Sequence, residues 1–252
     1  MHKNKWTREE TIIAFNVYCK IPFRRSSKFN PTVIKYAELI DRTPSTLNMK
    51  IGNIGRLDPE LKKQGIVGLK HGSKLEEEVW EEFNGDWESL AFESEALIAK
   101  LSDKSIEEVV EIEDIKEGVD KEVLVKQRVN QNFFRSTILS SYYFKCCITG
   151  LSIPEFLVSS HIVPWSKNKE NRLNPRNGLC LNSLHDKAFD RGFLTITPDY
   201  VVKLSSSFGD YLESYSVQDY FVKYQDQKIM LPDKFLPKKD FLDYHNQNIF
   251  KG

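Results

Sequence analysis

The chain lacks several features that would assign it quickly to a protein class. It contains no apolar run near the roughly 18 residues of a membrane-spanning helix, and its first residues lack the apolar stretch of a signal peptide. Only four cysteines are present and none forms a Cys-x-x-Cys pair, so the spacing of a zinc knuckle is absent. We therefore expect a cytoplasmic protein with reduced thiols and no membrane contact.

The chain also lacks net charge, but its charged residues are segregated along the sequence. Residues 1–75 carry 15 Lys and Arg against 6 Asp and Glu, a balance of +9. Residues 76–125 carry 4 against 18, or −14, and residues 126–252 carry 17 against 12, or +5. This pattern predicts a helical domain at 1–84, an acidic linker or helical connector at 85–125, and a second domain at 126–252.

The first segment contains clear helix-start signals. Thr7 to Glu10 has the pattern of a capping box, and Asn30-Pro31 and Thr43-Pro44 each place a proline at the first helical position. Two helices joined by three residues have the spacing of a helix-turn-helix, which also occurs in bundles that never bind DNA. If this one binds DNA, Asn48 and Lys50 on the second helix are the expected contacts.

The last segment combines a helix with short strands. A helix is predicted from Arg128 to about Tyr142, followed by a short strand and turn at 146–150. Strands at 156–162 and 178–182 then precede a short helix at 185–191, and a hairpin is expected over 192–204. The whole chain is therefore predicted to be α+β, with a helical first domain.

Two histidines and an asparagine lie at short spacing within this segment: His161, Asn177 and His185. The surrounding sequence resembles the HNH endonuclease family, whose nuclease unit is a ββα-metal fold. The resemblance covers about 65 residues and is carried by these motifs: Cys147-Ile148-Thr149-Gly150, His161-Ile162-x-Pro164-Trp165, Asn174-Pro175-x-Asn177-Gly178-Leu179 and Leu184-His185-Asp186-x-Ala188-Phe189-Asp190. It is closest to bacterial HNH proteins of restriction and defence systems with an N-terminal helical domain.

The resemblance implies a role for each of these residues. His161 would be the general base that takes a proton from water, since an imidazole titrates near neutral pH. Asn177 would hold the loop between the strands and keep His161 aimed. His185 would ligate a divalent metal, Mg²⁺ or Mn²⁺, which stabilises the phosphate in the transition state.

One departure from the family pattern concerns the metal. Many members place an acidic residue or a histidine directly before the base, where this chain has Ser160, a poor ligand. Asp190 and Asp186 are the carboxylates expected to complete the metal site, with Asp190 slightly favoured. Asp190 could instead pair with Arg191 or Arg176.

The resemblance predicts a metal-dependent DNA endonuclease, with a role in restriction or defence against phage and other foreign DNA. The alternatives are a catalytically inactive nucleic-acid-binding regulator on the same scaffold, and helices that serve a protein partner. DNA is the expected partner, and a homodimer would allow double-strand cleavage. His71 and His245 are interpreted as core residues. The residues expected to contact phosphates near the site are Lys167, Arg172, Arg176 and Arg191.

Overall fold

The computed structural model of the chain describes residues 5–66, 72–110 and 121–252, which form helices and two small antiparallel sheets. The mixed composition agrees with the predicted α+β class. The chain divides into two compact units, Met1–Ser141 and Tyr142–Gly252. This boundary differs from the predicted one at residue 126, because the helix that begins at Lys121 runs to Ser141 and packs within the first unit.

The first unit is helical. Along the described residues, no helix in either unit is both long enough and apolar enough to cross a membrane. The helices of the first unit are α1 (Arg8–Lys20), α2 (Pro31–Leu39), α3 (Pro44–Gly55), α4 (Pro59–Lys63), α5 (Lys74–Phe83), α6 (Trp87–Leu101), α7 (Ile106–Val109) and α8 (Lys121–Ser141).

Helix α1 forms the centre of the first unit and contacts α3, α5, α6 and α8. It begins with the predicted capping box, in which the Thr7 hydroxyl accepts from the Glu10 amide and the Glu10 carboxylate accepts from the Thr7 amide. Every residue from Glu10 to Cys19 is buried, so the helix packs on all sides. Phe15 stacks on Trp80, with ring centroids 5.0 Å apart.

The acidic segment predicted as a linker at 85–125 contains a packed helix. Helix α6 contacts α1 and α8, and its inward face buries Trp87, Leu90 and Ile98. Glu88 is exposed, whereas Glu95 is buried and pairs with Lys20 at 2.5 Å. Residues 87–101 thus form a helix, as the connector alternative expected, and this helix is packed within the first unit. Residues 111–120 of the same segment lie outside the described residues.

Helices α2 and α3 begin at the predicted residues and contact each other. Their arrangement does not confirm a DNA-reading helix, and one predicted contact is wrong. Lys50 is only 4% exposed, and its Nζ lies 2.5 Å from Glu76 Oε1 and 4.7 Å from the centre of the Trp6 ring. A buried, paired ammonium cannot reach a DNA phosphate. Asn48 is half-buried and bonds the Ser26 hydroxyl at 2.5 Å.

The second unit contains the predicted strand–strand–helix arrangement. Strands β1 (Leu157–His161) and β2 (Gly178–Asn182) pair antiparallel, with His161 opposite Gly178, and helix α9 (Ser183–Asp190) contacts both strands. The predicted hairpin is present as β3 (Leu194–Ile196) and β4 (Val202–Leu204).

Residues 146–150, predicted as a short strand and turn, form a turn without a strand. The Gly150 amide donates to the Cys146 carbonyl at 2.9 Å, and the Cys146 amide donates to the Leu151 carbonyl at 2.8 Å. Gly150 has φ +76°, a conformation that glycine adopts without strain. These local bonds use backbone groups that a strand would offer to a neighbour.

The end of the chain closes the second unit through helices α10 (Tyr215–Tyr220) and α11 (Lys239–Asn248). Helix α11 contacts β3 and carries His245, which is 1% exposed and stacks on Phe189 at 3.7 Å. Its Nδ1 bonds the Thr195 hydroxyl at 2.8 Å. His245 is thus a core residue, as predicted, whereas His71 lies outside the described residues.

Candidate active site

His161 lies at the end of β1, with its ring held by the loop that follows. Its Nε2 is 2.8 Å from the carbonyl oxygen of Arg172. A carbonyl only accepts hydrogen bonds, so Nε2 carries the proton and the lone pair of the neutral ring is on Nδ1. Burial lowers the pKa of His161 below its ordinary value, against the opposing effects of this bond and of the Asp186 charge. The ring is therefore neutral at pH 7, as a general base must be.

Asn177 joins the two ends of the loop between β1 and β2. Its side chain is 1% exposed, and its Oδ1 accepts from the Val163 amide at 2.8 Å. Its Nδ2 donates to the carbonyl oxygens of Val163 at 3.1 Å and Asn171 at 3.2 Å. The amide thus ties the residues just after His161 to the residue before Arg172.

His185 occupies a buried position that differs from the expected one. It is 1% exposed, and its Nε2 lies 2.7 Å from the carbonyl oxygen of Tyr220. Its Nδ1 lies 3.3 Å from Asn182 Nδ2, and its ring packs edge-on against Phe221. Both ring nitrogens are engaged, so in this structure His185 is not placed as a metal ligand. The expectation that it binds the metal is therefore not supported.

Helix α9 carries two carboxylates, of which Asp186 lies close enough to His161 for their charges to interact. Asp186 and Asp190 are four residues apart and share one face of the helix. Burial raises the pKa of Asp186, although the nearby Ser160 hydroxyl and the Lys187 and His161 charges oppose this. Partial burial and the Asp186 charge also raise the pKa of Asp190. Carboxylates that cost free energy when ionised alone are stabilised by a bound cation.

A divalent metal fits this face only as a partly hydrated ion. Among the described residues, no three His, Cys, Asp or Glu side chains are grouped closely enough to hold a metal. Ser160 is 2% exposed, and its hydroxyl lies close enough to Asp186 to lower the pKa of that carboxyl. Two carboxylates and a hydroxyl are hard oxygen donors. They suit Mg²⁺ or Mn²⁺, with water and phosphate oxygens as the remaining ligands.

The basic residues expected to contact phosphates have different environments. Lys167 and Arg191 are exposed, and Arg176 is half-buried. Arg172 instead interacts with its own loop: its Nε donates to the Trp165 carbonyl at 2.9 Å, and its guanidinium carbon lies 4.9 Å from the centre of the Trp165 ring.

Cys146 belongs to this region but was not identified from the sequence. Burial alone would raise its pKa, but hydrogen bonds with His185 and Thr149 lower it to about 7. Asn182 Nδ2 also lies 3.7 Å from its Sγ. No spacing in the sequence indicates this cluster, since its members come from a turn, a strand end and a helix.

The comparison with protein families gives one match at this site. A family model described as HNH endonuclease matches residues 146–197, which include β1, β2, α9 and β3. No curated protein matches the chain at a significant level.

Proposed function

Because residues 146–197 belong to the HNH endonuclease family, we propose that this protein hydrolyses DNA phosphodiester bonds with His161 as general base and a divalent metal as cofactor. The observation that carries the proposal is the bond between His161 Nε2 and the Arg172 carbonyl, which fixes the tautomer with its lone pair on Nδ1, the basic nitrogen of the neutral ring. The lowered pKa of His161 keeps that lone pair present at neutral pH.

In the proposed reaction, His161 Nδ1 takes a proton from a water molecule whose oxygen attacks the phosphorus atom. The bond from phosphorus to the 3′ oxygen breaks as the new bond forms, and the leaving oxygen takes a proton from solvent. The ends expected from the family resemblance are a 5′-phosphate and a 3′-hydroxyl. Asn177 holds the loop that keeps His161 in place.

We propose Asp186, assisted by Asp190, as the protein's metal ligands. When bound, Mg²⁺ or Mn²⁺ would neutralise charge on the phosphate and on the leaving oxygen. Asp186 is preferred because its charge acts on His161 and it lies beside the Ser160 hydroxyl, whereas Asp190 is more exposed.

The nuclease proposal is tested by nicking of supercoiled plasmid with Mg²⁺ or Mn²⁺ and with chelator. The His161→Ala protein should be inactive at every metal concentration. His2→Ala, the same substitution outside the matched segment, should cut like the natural sequence. Unchanged nicking by His161→Ala would refute the assignment of the base. Metal-independent DNA binding without nicking by the unsubstituted protein would favour the inactive regulator.

The assignment of the metal ligands is tested by isothermal titration calorimetry, in which Mn²⁺ is added to the protein without DNA. Asp186→Asn should weaken binding by about 10- to 100-fold, and Asp190→Asn less. His185→Gln should leave the Mn²⁺ affinity of the folded protein nearly unchanged, since its imidazole bonds Tyr220 and Asn182. A large loss of Mn²⁺ affinity in folded His185→Gln would restore histidine as the ligand.

We also propose that the first unit contacts DNA, through a surface that replaces the predicted Lys50 contact. Its exposed members are Arg25, Lys28 and the 77%-exposed Phe29, whose ring centre lies 5.0 Å from Lys28 Nζ. Ser26 connects this loop to Asn48 on α3. Exposed cations attract phosphates, and an exposed aromatic ring can stack on a base.

This surface is tested by fluorescence anisotropy with labelled duplex at two salt concentrations. Arg25→Gln with Lys28→Gln should weaken binding and reduce its salt dependence. Lys100→Gln with Lys104→Gln removes the same charge from exposed positions elsewhere in the unit and should have little effect. Equal weakening by the two pairs would mean that only total charge matters.

A restriction or defence role, and cleavage of both strands by two copies, are proposed on the family resemblance. Cleavage of both strands by two copies is tested by measuring how the rate of plasmid linearisation depends on protein concentration. Nicking should be first order in protein, whereas linearisation should rise more steeply. Equal orders would indicate that one copy cuts both strands in turn.

A further inference from the structure

The side chain of Arg172 interacts with the same loop that holds the base. Its Nε donates to the Trp165 carbonyl at 2.9 Å, and its guanidinium carbon lies 4.9 Å from the centre of the Trp165 ring. Trp165 in turn meets His161 edge-on, with ring centroids 5.6 Å apart and planes at 85°. The main chain of Arg172 also contacts the imidazole, because its carbonyl accepts a hydrogen bond from His161 Nε2.

His161, Trp165 and Arg172 therefore contact one another in pairs. The Arg172 carbonyl determines which ring nitrogen carries the proton, and the Trp165 ring limits the rotation of the imidazole. The Arg172 side chain holds Trp165 in two ways. Its Nε donates to the Trp165 carbonyl, and its guanidinium lies over the Trp165 ring. The adjacent carbonyl of Asn171 is held separately by Asn177.

We propose that Arg172 is a positioning residue that holds Trp165 and its own carbonyl against His161, and that it is not primarily a phosphate ligand. The inference rests on the proposed function, because it concerns the same base. It assigns to the arginine side chain a task that depends on a planar group. A guanidinium can donate from Nε along the loop while its face lies on an indole.

The substitution Arg172→Lys distinguishes a phosphate contact from the positioning role. An ammonium at this position keeps a positive charge for a phosphate, but it has no Nε–H in the same place and no flat face. A phosphate contact should therefore survive Arg172→Lys in large part, whereas the positioning role should not. Arg172→Met retains an apolar stem for Trp165 and removes both charge and donor. Arg128→Lys is the control, because it makes the same substitution at an exposed position of α8.

The first measurement is steady-state nicking at several salt concentrations. Arg172→Lys should lower kcat by about 10- to 100-fold, the range for partners that orient a catalytic group, with KM changed less than about threefold. Its salt dependence should match that of the natural sequence, and Arg128→Lys should retain kcat. The proposal is overturned if Arg172→Lys retains kcat. It is also overturned if the loss is confined to KM.

The second measurement does not require activity. In ¹⁵N-labelled protein, the His161 signals are assigned by their loss in His161→Gln, and the tautomer is read from the two ring nitrogens. The unsubstituted protein should show the proton on Nε2, and Arg172→Lys a mixture of tautomers. An unchanged tautomer and titration in Arg172→Lys would overturn the proposal. If the protein never cuts DNA but this change occurs, the proposed function fails while the positioning role stands.

Discussion

At the scale of single residues, the environment of His161 predicts how activity depends on pH. Burial lowers its pKa below the ordinary histidine value, so the imidazole that we propose as the base becomes protonated only below that value. Nicking should therefore be constant through neutral pH and fall on the acidic side, with a midpoint below about 6.5. Rates from pH 5 to 8 at saturating Mn²⁺ measure this.

The control is Asp186→Asn, measured at a metal concentration that restores its binding. The Asp186 charge raises the pKa of His161, so its removal should move the acidic limb to still lower pH. A midpoint above the ordinary histidine value would contradict the environment described for the ring. A limb unmoved by Asp186→Asn would mean that the two side chains do not interact in solution.

The sequence indicated some of these residues and not others, for physical reasons. His161 and Asn177 take their positions from adjacent strands, so short spacing was enough to place them together. His185 is bound to the Tyr220 carbonyl, 35 residues later in the chain, and Lys50 to Glu76, 26 residues later. No local pattern reports on such partners, so the sequence could not indicate that His185 and Lys50 are buried and paired.

At the scale of elements, a buried ion pair connects α3 to α5. Glu76 is 1% exposed, and its carboxylate accepts from Lys50, from Asn53 and from the Ser73 amide at the start of α5. Lys50→Met removes the nearest cation of that buried carboxylate and leaves the more distant Arg56, whose Nη2 lies 3.9 Å from Glu76 Oε2. The free energy of unfolding should fall by about 3–5 kcal/mol, as is typical when one partner of a buried pair is removed.

Urea denaturation of the full chain measures this loss. Adding Glu76→Gln to Lys50→Met removes the uncompensated charge while an amide oxygen remains for the cap, so much of the stability should return. Lys74→Met removes the cation of an exposed pair with Glu78 on the same helix and should change little. A double variant no more stable than Lys50→Met would show that packing, and not charge, dominates.

Elements themselves were more predictable than their contacts. Capping residues located the starts of α1, α2 and α3, because a side chain satisfies the first amides locally. Helix α6 lies in a segment whose acidic composition favoured a linker or helical connector, although Trp87, Leu90, Ala91 and Ile98 form a buried apolar face. That spacing is helical and would have identified the buried face.

At the scale of the whole molecule, buried His245 should make stability depend on pH. Burial lowers its pKa to about 4, while the unfolded chain titrates near 6.5. Between these values the unfolded state binds more protons, so acidification favours unfolding. The full contribution is present above pH 6.5, and about 3 kcal/mol should be lost as the pH falls toward 4.

Urea unfolding of the full chain at pH 7, 6, 5 and 4.5 tests this dependence. His245→Gln cannot titrate and should show a shallower loss over the same range, even if it is less stable at pH 7. Other groups contribute equally to both proteins, so the difference in slope reports His245. Parallel curves for the two proteins would contradict the lowered pKa.

The division of the chain predicts where it can be shortened. The hydrogen bonds described above for His161, Asn177 and His185 come from residues after Tyr142. A chain that begins at Tyr142 should therefore fold and nick DNA, but without any site preference that the first unit supplies.

A chain that begins at residue 85 keeps α6 and α8 but loses α1, exposing Trp87, Leu90 and Phe133 to solvent. It should aggregate, because exposed apolar faces associate. Soluble yield and thermal unfolding of the two chains give the comparison. A well-folded chain from residue 85 with an aggregating chain from Tyr142 would reverse the assignment of α8 to the first unit.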